Sequence, residues 1–352
     1  MATATLSVLR SNPPVEPEIS WQTYAVEMPD DSTVLEALMK IQDEQDGTLA
    51  FRRACRHAIC GSCAMRINGC AKLACNTQLS LAAEQARQMA TLPGRAAGET
   101  DGAVTVAPLG NMPVVKDLVT DMDVFWRKLR RTRPWLFPLT QSPDPDEESH
   151  VLPQEWERLA QGVLCLECGA CYSDCCAVAA APEYIGPAAL VKANRYVTDV
   201  RDIDEHRRLL DLSDDHGLWE CLRCYFCSER CPKHIRVREL IAQLGELAWR
   251  EGLRRDPGAR HAQAFVTSLQ KSGRLDETSL AVRSQGLAWA AHRLPMAVRV
   301  ALAGKLAPPP RPLEGHEALT RVMEAVAPHE GGEVRLSARI VPDAAPAAED
   351  SA

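Results

Sequence analysis

The stretch Cys165-Leu-Glu-Cys168-Gly-Ala-Cys171-Tyr-Ser-Asp-Cys175 recurs downstream as Cys221-Leu-Arg-Cys224-Tyr-Phe-Cys227-Ser-Glu-Arg-Cys231-Pro232. Both copies read C-x2-C-x2-C-x3-C, the spacing that grips [4Fe–4S] clusters. Three thiolates two residues apart wrap a short loop around one cube, and the fourth points away to ligate the other cluster. This reading assigns one cube to Cys165, Cys168, Cys171 and Cys231, and the other to Cys221, Cys224, Cys227 and Cys175. Zinc also uses C-x2-C pairs, but a tetrahedral site would leave the third cysteine of each run over. Disulfides suit a secreted chain, and buried apolar cysteines do not repeat at matched spacings. Two cubane clusters are therefore expected, in an all-α domain of bacterial-ferredoxin type.

The chain has 352 residues, enough for two domains and a tail, with 46% hydrophobic and 25% charged residues as in ordinary globular proteins. Its net charge of −7 argues against nucleic acid as the main partner. The start, Met1-Ala-Thr-Ala-Thr-Leu, lacks the basic and apolar parts of a signal peptide. Residues 287–307, the nearest candidate for a membrane span, contain His292, Arg293, Pro295, Arg299 and Lys305, so no span is expected. In a reducing interior, 14 cysteines mean metal or redox chemistry.

Nearer the start, residues 5–9 and 21–28 read as strands. A helix follows Asp30-Asp31-Ser32-Thr33, with Thr33 and Glu36 as a capping box and Val34, Leu35, Leu38 and Ile41 on one apolar face. Next comes Cys55-Arg-His-Ala-Ile-Cys60-Gly61-Ser-Cys63, with Cys75 beyond Ile67-Asn68-Gly69. C-x4-C-x2-C…C is the plant-type [2Fe–2S] framework, so Cys55, Cys60, Cys63 and Cys75 are its candidate ligands. Gly61 allows a tight turn that aims amides at the cluster sulfurs. Cys70, in the turn between two expected strands, reads as an exposed thiol outside the ligand set. Strand, strand, helix and cysteine loop is the order of a small plant-type ferredoxin. The whole chain is thus α+β: a β-grasp ferredoxin domain over 1–112, a linking helix and linker over 113–150, a helical two-cubane domain over 151–328, and a disordered tail over 329–352.

The segments Thr48-Leu49-Ala-Phe51-Arg52-Arg53-Ala-Cys55, Cys60-Gly-Ser-Cys-Ala-Met-Arg-Ile-Asn-Gly69 and Leu73-Ala-Cys75 resemble the iron–sulfur subunit of succinate dehydrogenase and fumarate reductase. Val104-Thr-Val-Ala-Pro108, Val115-Lys-Asp117, Tyr184-Ile-Gly186-Pro187 and Thr198-Asp-Val-Arg-Asp202 extend the likeness across residues 5–250. The resemblance implies a subunit of an oxidoreductase complex with no substrate site of its own. It implies an FAD-containing flavoprotein partner facing the Cys55–Cys63 loop, a membrane-side anchor subunit facing the cubanes, and electron flow from [2Fe–2S] through one [4Fe–4S] to the other and on to quinone. It also implies a cytoplasmic, peripheral place on the inner face of the cell membrane. The same role in a fumarate reductase driven by quinol or thiols, and a freestanding polyferredoxin, are the alternatives.

Against that family, residues 82–101 read as an inserted loop with one helical turn. The position of Cys224 carries no thiolate in the common members, whose third cluster is [3Fe–4S]; here a complete cube is expected. Where the family's quinone site uses a tryptophan pair and a histidine, this chain has Ala179-Ala180 and Leu222, and Cys176 stands in place of the usual proline after Cys175. The region His261 to Pro308 resembles the C-terminal part of the small iron–sulfur subunit of heterodisulfide reductase. Together these features imply an anchor subunit with cysteine-rich CCG domains. Val114 to Arg131 reads as the linking helix, and its basic end, Arg127-Lys-Leu-Arg-Arg-Thr-Arg133, as a solvated helix terminus rather than a dock for a partner or anionic lipid. Residues 141–148 form a linker, the cluster domain begins near Glu155, Pro187 opens a helix whose Leu190, Val191, Asn194 and Val197 face inward, and 237–251 are amphipathic.

Overall fold

A computed structural model describes residues 2–13, 15–90, 102–138, 150–214, 216–305, 308 and 310–326. Strands β1 (Ala2–Asn12) and β2 (Glu16–Met28) form an antiparallel hairpin with Leu6 opposite Tyr24 and Val8 opposite Gln22. Both run longer than expected. The added part of β2 carries exposed Ile19, so ladder hydrogen bonds rather than burial extend the hairpin. Helix α1 (Val34–Glu44) starts at the expected box: the Glu36 amide donates to Thr33 Oγ1 at 3.3 Å, and the Thr33 amide donates to Glu36 Oε2 at 2.7 Å. Val34, Leu35, Leu38 and Ile41 are buried in one core with Leu6, Val8, Val26, Ile67 and Val106.

Strands β3 (Ala64–Ile67) and β4 (Cys70–Leu73) join through Asn68 and Gly69, both at positive φ, as a two-residue hairpin turn requires. Helix α2 (Leu79–Ala90) replaces the loop expected from residue 82 onward. Leu79, Ala82 and Ala86 bury one stripe of this alanine-rich, helix-favouring segment; residues 91–101 lie outside the described residues. Strand β5 (Val104–Ala107) pairs parallel with β1 and antiparallel with β3, giving the sheet order β2-β1-β5-β3-β4. A mixed sheet crossed by α1 is the β-grasp arrangement.

The linking helix is shorter than its periodicity predicts. Strands β6 (Val114–Lys116) and β7 (Val119–Thr120) form a hairpin, and α3 spans only Asp123–Arg131. Asp117, at φ 47° in the turn, is the physical reason. Its buried carboxylate accepts from the Ser11 amide (3.2 Å), the Ala50 amide (2.9 Å) and Arg10 Nε (2.9 Å), pinning the turn to β1. Arg10 also donates to Tyr24 Oη (2.7 Å), Thr48 Oγ1 (2.9 Å) and Asp46. Hydrogen bonds from Thr48 and Tyr24 hold the Asp46 carboxyl below the ordinary carboxylate range. A depressed folded-state value means a stabilising contribution that is complete above the unfolded value near 4 and fades as pH falls through it. The gap in thermal midpoint between the wild type and Asp46→Asn should therefore stay constant from pH 7 to pH 5 and close below pH ~4. A gap that widens on acidification would contradict this.

The helical half holds α4 (Pro153–Val163), α5 (Ala170–Ser173), α6 (Cys176–Ala180), α7 (Pro187–Val197), α8 (Glu205–Leu212), α9 (Phe226–Glu229) and α10 (Val237–Arg250). Helix α7 begins at Pro187 and buries Leu190, Val191, Asn194 and Val197; Asn194 Nδ2 donates to the Leu240 carbonyl (3.2 Å) and Gln243 Oε1 (3.0 Å) of α10. Gly162 lets α4 press against α7: a Cβ there would stand 2.8 Å from Arg195 Cβ.

The basic end of α3 is not simply solvated. Lys128 is buried, donating to Tyr172 Oη (2.9 Å) and to the carbonyls of Tyr184 (2.7 Å) and Pro182. Arg133 pairs with Asp204 (2.6 Å) and Asp211 (2.9 Å).

A second compact unit begins at Pro257, with α11 (Pro257–Ser272), α12 (Glu277–Gln285), α13 (Leu287–Leu302) and α14 (His316–Val326). Asp276 caps α12 by accepting from the Ser279 amide at 3.1 Å. Among the described residues, no helix is long and apolar enough to cross a membrane. The expected linker over 141–148 and the tail over 329–352 lie outside the described residues.

Candidate iron–sulfur centres

The first cysteine set is built on an irregular loop and a hairpin. Arg56, Ala58 and Gly61 take positive φ and turn successive amides inward. The amides of His57, Ile59 and Cys60 donate to Cys55 Sγ at 3.3–3.4 Å, that of Ala58 to Cys75 Sγ at 3.3 Å, and that of Cys75 to Cys63 Sγ at 3.5 Å. Cys63 leads into β3, and Cys75 sits in a 3-10 turn after β4, so the β3–β4 hairpin sets their separation. Led by the His57 amide, these donors pull the Cys55 thiol down to about 6, whereas burial pushes Cys63 up to about 12. Thiolates ringed by backbone donors suit a [2Fe–2S] cluster, whose sulfurs accept such bonds. Cys70 opens β4 and is half-buried, contrary to the expected exposed turn position, because pairing with Ile67 draws it into the sheet.

The two C-x2-C-x2-C-x3-C runs fold into one repeated loop. Glu167 and Arg223 share φ near 56° (55° and 57°), and Gly169 and Tyr225 take 79° and 67°, before short helices α5 and α9. Cys165, Cys168, Cys171 and Cys231 line one pocket. Cys175, Cys221, Cys224 and Cys227 line another. Each pocket is closed by one cysteine from the opposite run, the grouping expected from the spacing.

Burial is the main influence on these thiols. It pushes Cys168 up to about 11 and Cys227 to about 12, and Cys171 well above its ordinary value, while amides such as Ala170 and Ser228 oppose it. Buried neutral thiols become ligands when a bound cation supplies the charge that burial denies them. Among the described residues, no three His, Cys, Asp or Glu side chains converge tightly enough for a single metal ion. The donors lining the two pockets are cysteine sulfurs.

Several supporting side chains went unrecognised in the sequence. Asp174, between Cys171 and Cys175, accepts from the Ala71 amide (2.9 Å) of β4 and from Arg230 Nε (2.9 Å), tying both runs to the sheet. Asn111 Nδ2 donates to the carbonyls of Tyr172, Ser173 and Cys175 at 2.9–3.1 Å. Lys128 supports the same loop through Tyr172, and burial pulls its ammonium below the usual lysine value. Its signal was available: Phe125, Lys128 and Leu129 share one helical stripe.

Gly61 brings the first and second sets together. A Cβ there would lie 2.7 Å from Cys168 Cβ and 3.0 Å from its Cα, and the glycine sits at φ 72°. Gly61→Ala should therefore lose more than about 1 kcal/mol from backbone strain and about 1–3 kcal/mol from overpacking. It should also slow electron passage between the first two centres, read by rapid-freeze spectroscopy. An alanine variant with wild-type stability and transfer rate would show that this contact is unimportant.

The face around the third set carries exposed Leu222, Tyr225, Phe226 and Cys224, with Ala179 and Ala180 also exposed. Exposed Arg223 lies among them, and the face has neither the tryptophan pair nor the histidine named above.

Residues 5–127 match a family described as 2Fe-2S iron-sulfur cluster binding domain, and residues 163–235 a 4Fe-4S dicluster domain. The 8-methylmenaquinol:fumarate reductase iron-sulfur subunit of Wolinella succinogenes is 35% identical, over 86% of this chain and 92% of that one. The fumarate reductase iron-sulfur subunit of Mycobacterium tuberculosis is 37% identical over 65% of this chain and 86% of that one. The succinate dehydrogenase iron-sulfur subunit of Paracoccus denitrificans is 36% identical over 63% and 79%. Among solved structures, a chain of the Mycobacterium smegmatis Sdh1 complex in the apo form superposes with a TM-score of 0.56 at 28% identity, covering 70% of this chain and 95% of that one.

Proposed function

Because the chain belongs to the family of iron–sulfur subunits of succinate dehydrogenases and fumarate reductases, we propose that its twelve paired-off cysteines hold one [2Fe–2S] and two [4Fe–4S] clusters between a flavoprotein and a membrane-side anchor. Iron–sulfur electron transfer within an oxidoreductase complex is the family's activity. The clusters, when bound, supply one-electron carriers whose potentials follow charge, burial and hydrogen bonds to sulfur. The chain's own work is to hold them close and dry. Gly61 keeps the Cys55–Cys63 loop against the Cys165–Cys171 loop, and Asp174, Asn111 and Lys128 fix the segment shared by the two cubane pockets. In this reading the domain bounds are 1–112, 113–150, 151–328 and 329–352, the third of which contains the start of the second compact unit at Pro257.

The observation that carries the reading is the reciprocal closure of the two pockets by Cys231 and Cys175. Anaerobically prepared protein should contain about ten irons per chain, two plus four plus four, with matching acid-labile sulfide. Two or three metals per chain, zinc among them, would sink it, and purification free of any flavoprotein would favour the polyferredoxin alternative.

The CCG-type anchor draws support from two features of the sequence. Residues 261–308 resemble the small iron–sulfur subunit of heterodisulfide reductase, and Ala179, Ala180 and Leu222 stand where the family's quinone site has a tryptophan pair and a histidine. Electrons would then pass to a cysteine-rich subunit on the inner face of the cell membrane, in the direction of succinate oxidation or its reverse. Co-purification with a haem-bearing, membrane-spanning anchor instead would count against this.

A further inference from the structure

The two cubane pockets differ in the charges of their walls. The second pocket, that of Cys165, Cys168, Cys171 and Cys231, is lined by one acid and one base, Glu167 and Lys233, and Glu167 is paired with Lys192 at 2.7 Å. The third, that of Cys175, Cys221, Cys224 and Cys227, is lined by two guanidiniums, Arg223 and Arg238, and by no carboxylate among the described residues. Glu167 and Arg223 hold the same place in the repeated loop, at φ 55° and 57°, so the repeat itself carries the reversal of sign. Resting on the reading that this pocket holds a cluster, we propose that Arg238 raises the reduction potential of the third centre above that of the second.

Arg238 is built into its pocket. It is the second residue of α10, and its amide donates to Ser228 Oγ at 3.0 Å, tying the start of that helix to α9, which carries Cys227. Its Nε is buried and has no hydrogen-bond partner among the described residues. The guanidinium carbon lies 5.8 Å from the centre of the Tyr225 ring, in the loop between Cys224 and Cys227. A buried donor left unpaired is costly, and a site of four thiolates supplies the anionic neighbour that lowers the cost. A guanidinium keeps its proton in proteins, so this charge is fixed. Arg223 is exposed, and water and salt screen it. In the transfer step one electron leaves the second centre and arrives at the third; no bond is made or broken and no proton moves. A fixed positive charge in the wall favours the reduced cluster, since net charge is among the factors that set cluster potentials.

The test is a redox titration of the anaerobic holoprotein and its variants, followed by paramagnetic resonance, which reads the midpoint of each centre. Iron per chain and the midpoints of the other two centres are the folding controls. In the wild type the third centre should be reduced before the second; the opposite order overturns the proposal without any variant. Arg238→Gln should lower the third midpoint by about 59 mV, a tenfold change in a one-electron equilibrium, the order expected of one charge close to the cluster. Arg238→Lys, which keeps the charge, should stay near the wild type, and Arg223→Gln should move the midpoint less because its charge is screened. An unmoved third midpoint in Arg238→Gln sinks the proposal alone, leaving the cluster reading in place. An equal fall in Arg238→Lys would make packing rather than charge the cause, and an equal fall in Arg223→Gln would deny Arg238 any special place; either overturns it. If the wild type shows no third centre at all, the cluster reading of the pocket fails first and the proposal with it.

Discussion

Arg208→Met should cost the chain about 3–5 kcal/mol of stability, the loss typical of removing one partner from a buried ion pair. Arg208 is 2% exposed, and its guanidinium donates to Asp202 Oδ1 (3.2 Å) and Oδ2 (2.8 Å). It also donates to the carbonyls of Thr132 (2.9 Å), Arg133 (2.6 Å) and Trp135 (2.6 Å), while lying over the rings of Phe137 and Tyr196. Methionine fills the space but leaves a buried carboxylate and three carbonyls without that donor. The segment these bonds hold, residues 132–137, leads out of α3 and docks on the helical half. The thermal midpoint of the holoprotein should fall steeply, and adding Asp202→Asn should recover part of the loss by removing the stranded charge. A loss below about 1 kcal/mol, the range of surface pairs, would show the clamp to be dispensable.

What the sequence disclosed and what it concealed divide along one physical line. Ligand spacing is local: C-x2-C-x2-C forces three thiols around one loop whatever the rest of the chain does. The cysteine loops, the Thr33–Glu36 cap and the Pro187 start were therefore readable in advance. Contacts between distant segments were not. Asp174 meets Ala71, and Asp117 meets Arg10, across about a hundred residues of sequence. Val114 to Arg131 satisfied a helical period, but β-branched residues at 114, 115 and 119 and the Asp117 turn favoured a hairpin once β1 was there to receive that carboxylate. Lys128 was misjudged by residue type, because a lysine on an apolar stripe buries its stem and here its ammonium as well.

That division explains why the single cysteine with the largest expected effect is one that closes a pocket from outside its own loop. Cys231→Ala removes the thiol that the second run contributes beside Cys165, Cys168 and Cys171. Burial pushes the Cys231 thiol up, opposed by the amides of Lys233, Ile235 and His234, and the neighbouring Arg230 donates to Asp174 on the opposite run. In the proposed ligation Cys231 closes the second pocket while its neighbour Arg230 ties the two loops together. Without it, the second centre should lose at least its corner iron, so iron should fall below about ten per chain. The midpoint of unfolding should fall as well, because binding energy at a built metal site is folding energy. The functional loss should be complete yet located: in the complex, substrate should still reduce the [2Fe–2S] centre held by Cys55, Cys60, Cys63 and Cys75, while the Cys175–Cys227 centre stays oxidised. Freeze-quenched spectra after substrate addition separate the two. A variant that keeps about ten irons and still reduces its third centre would show that Cys231 does not close the second pocket, and the reciprocal ligation of the two runs would fall with it.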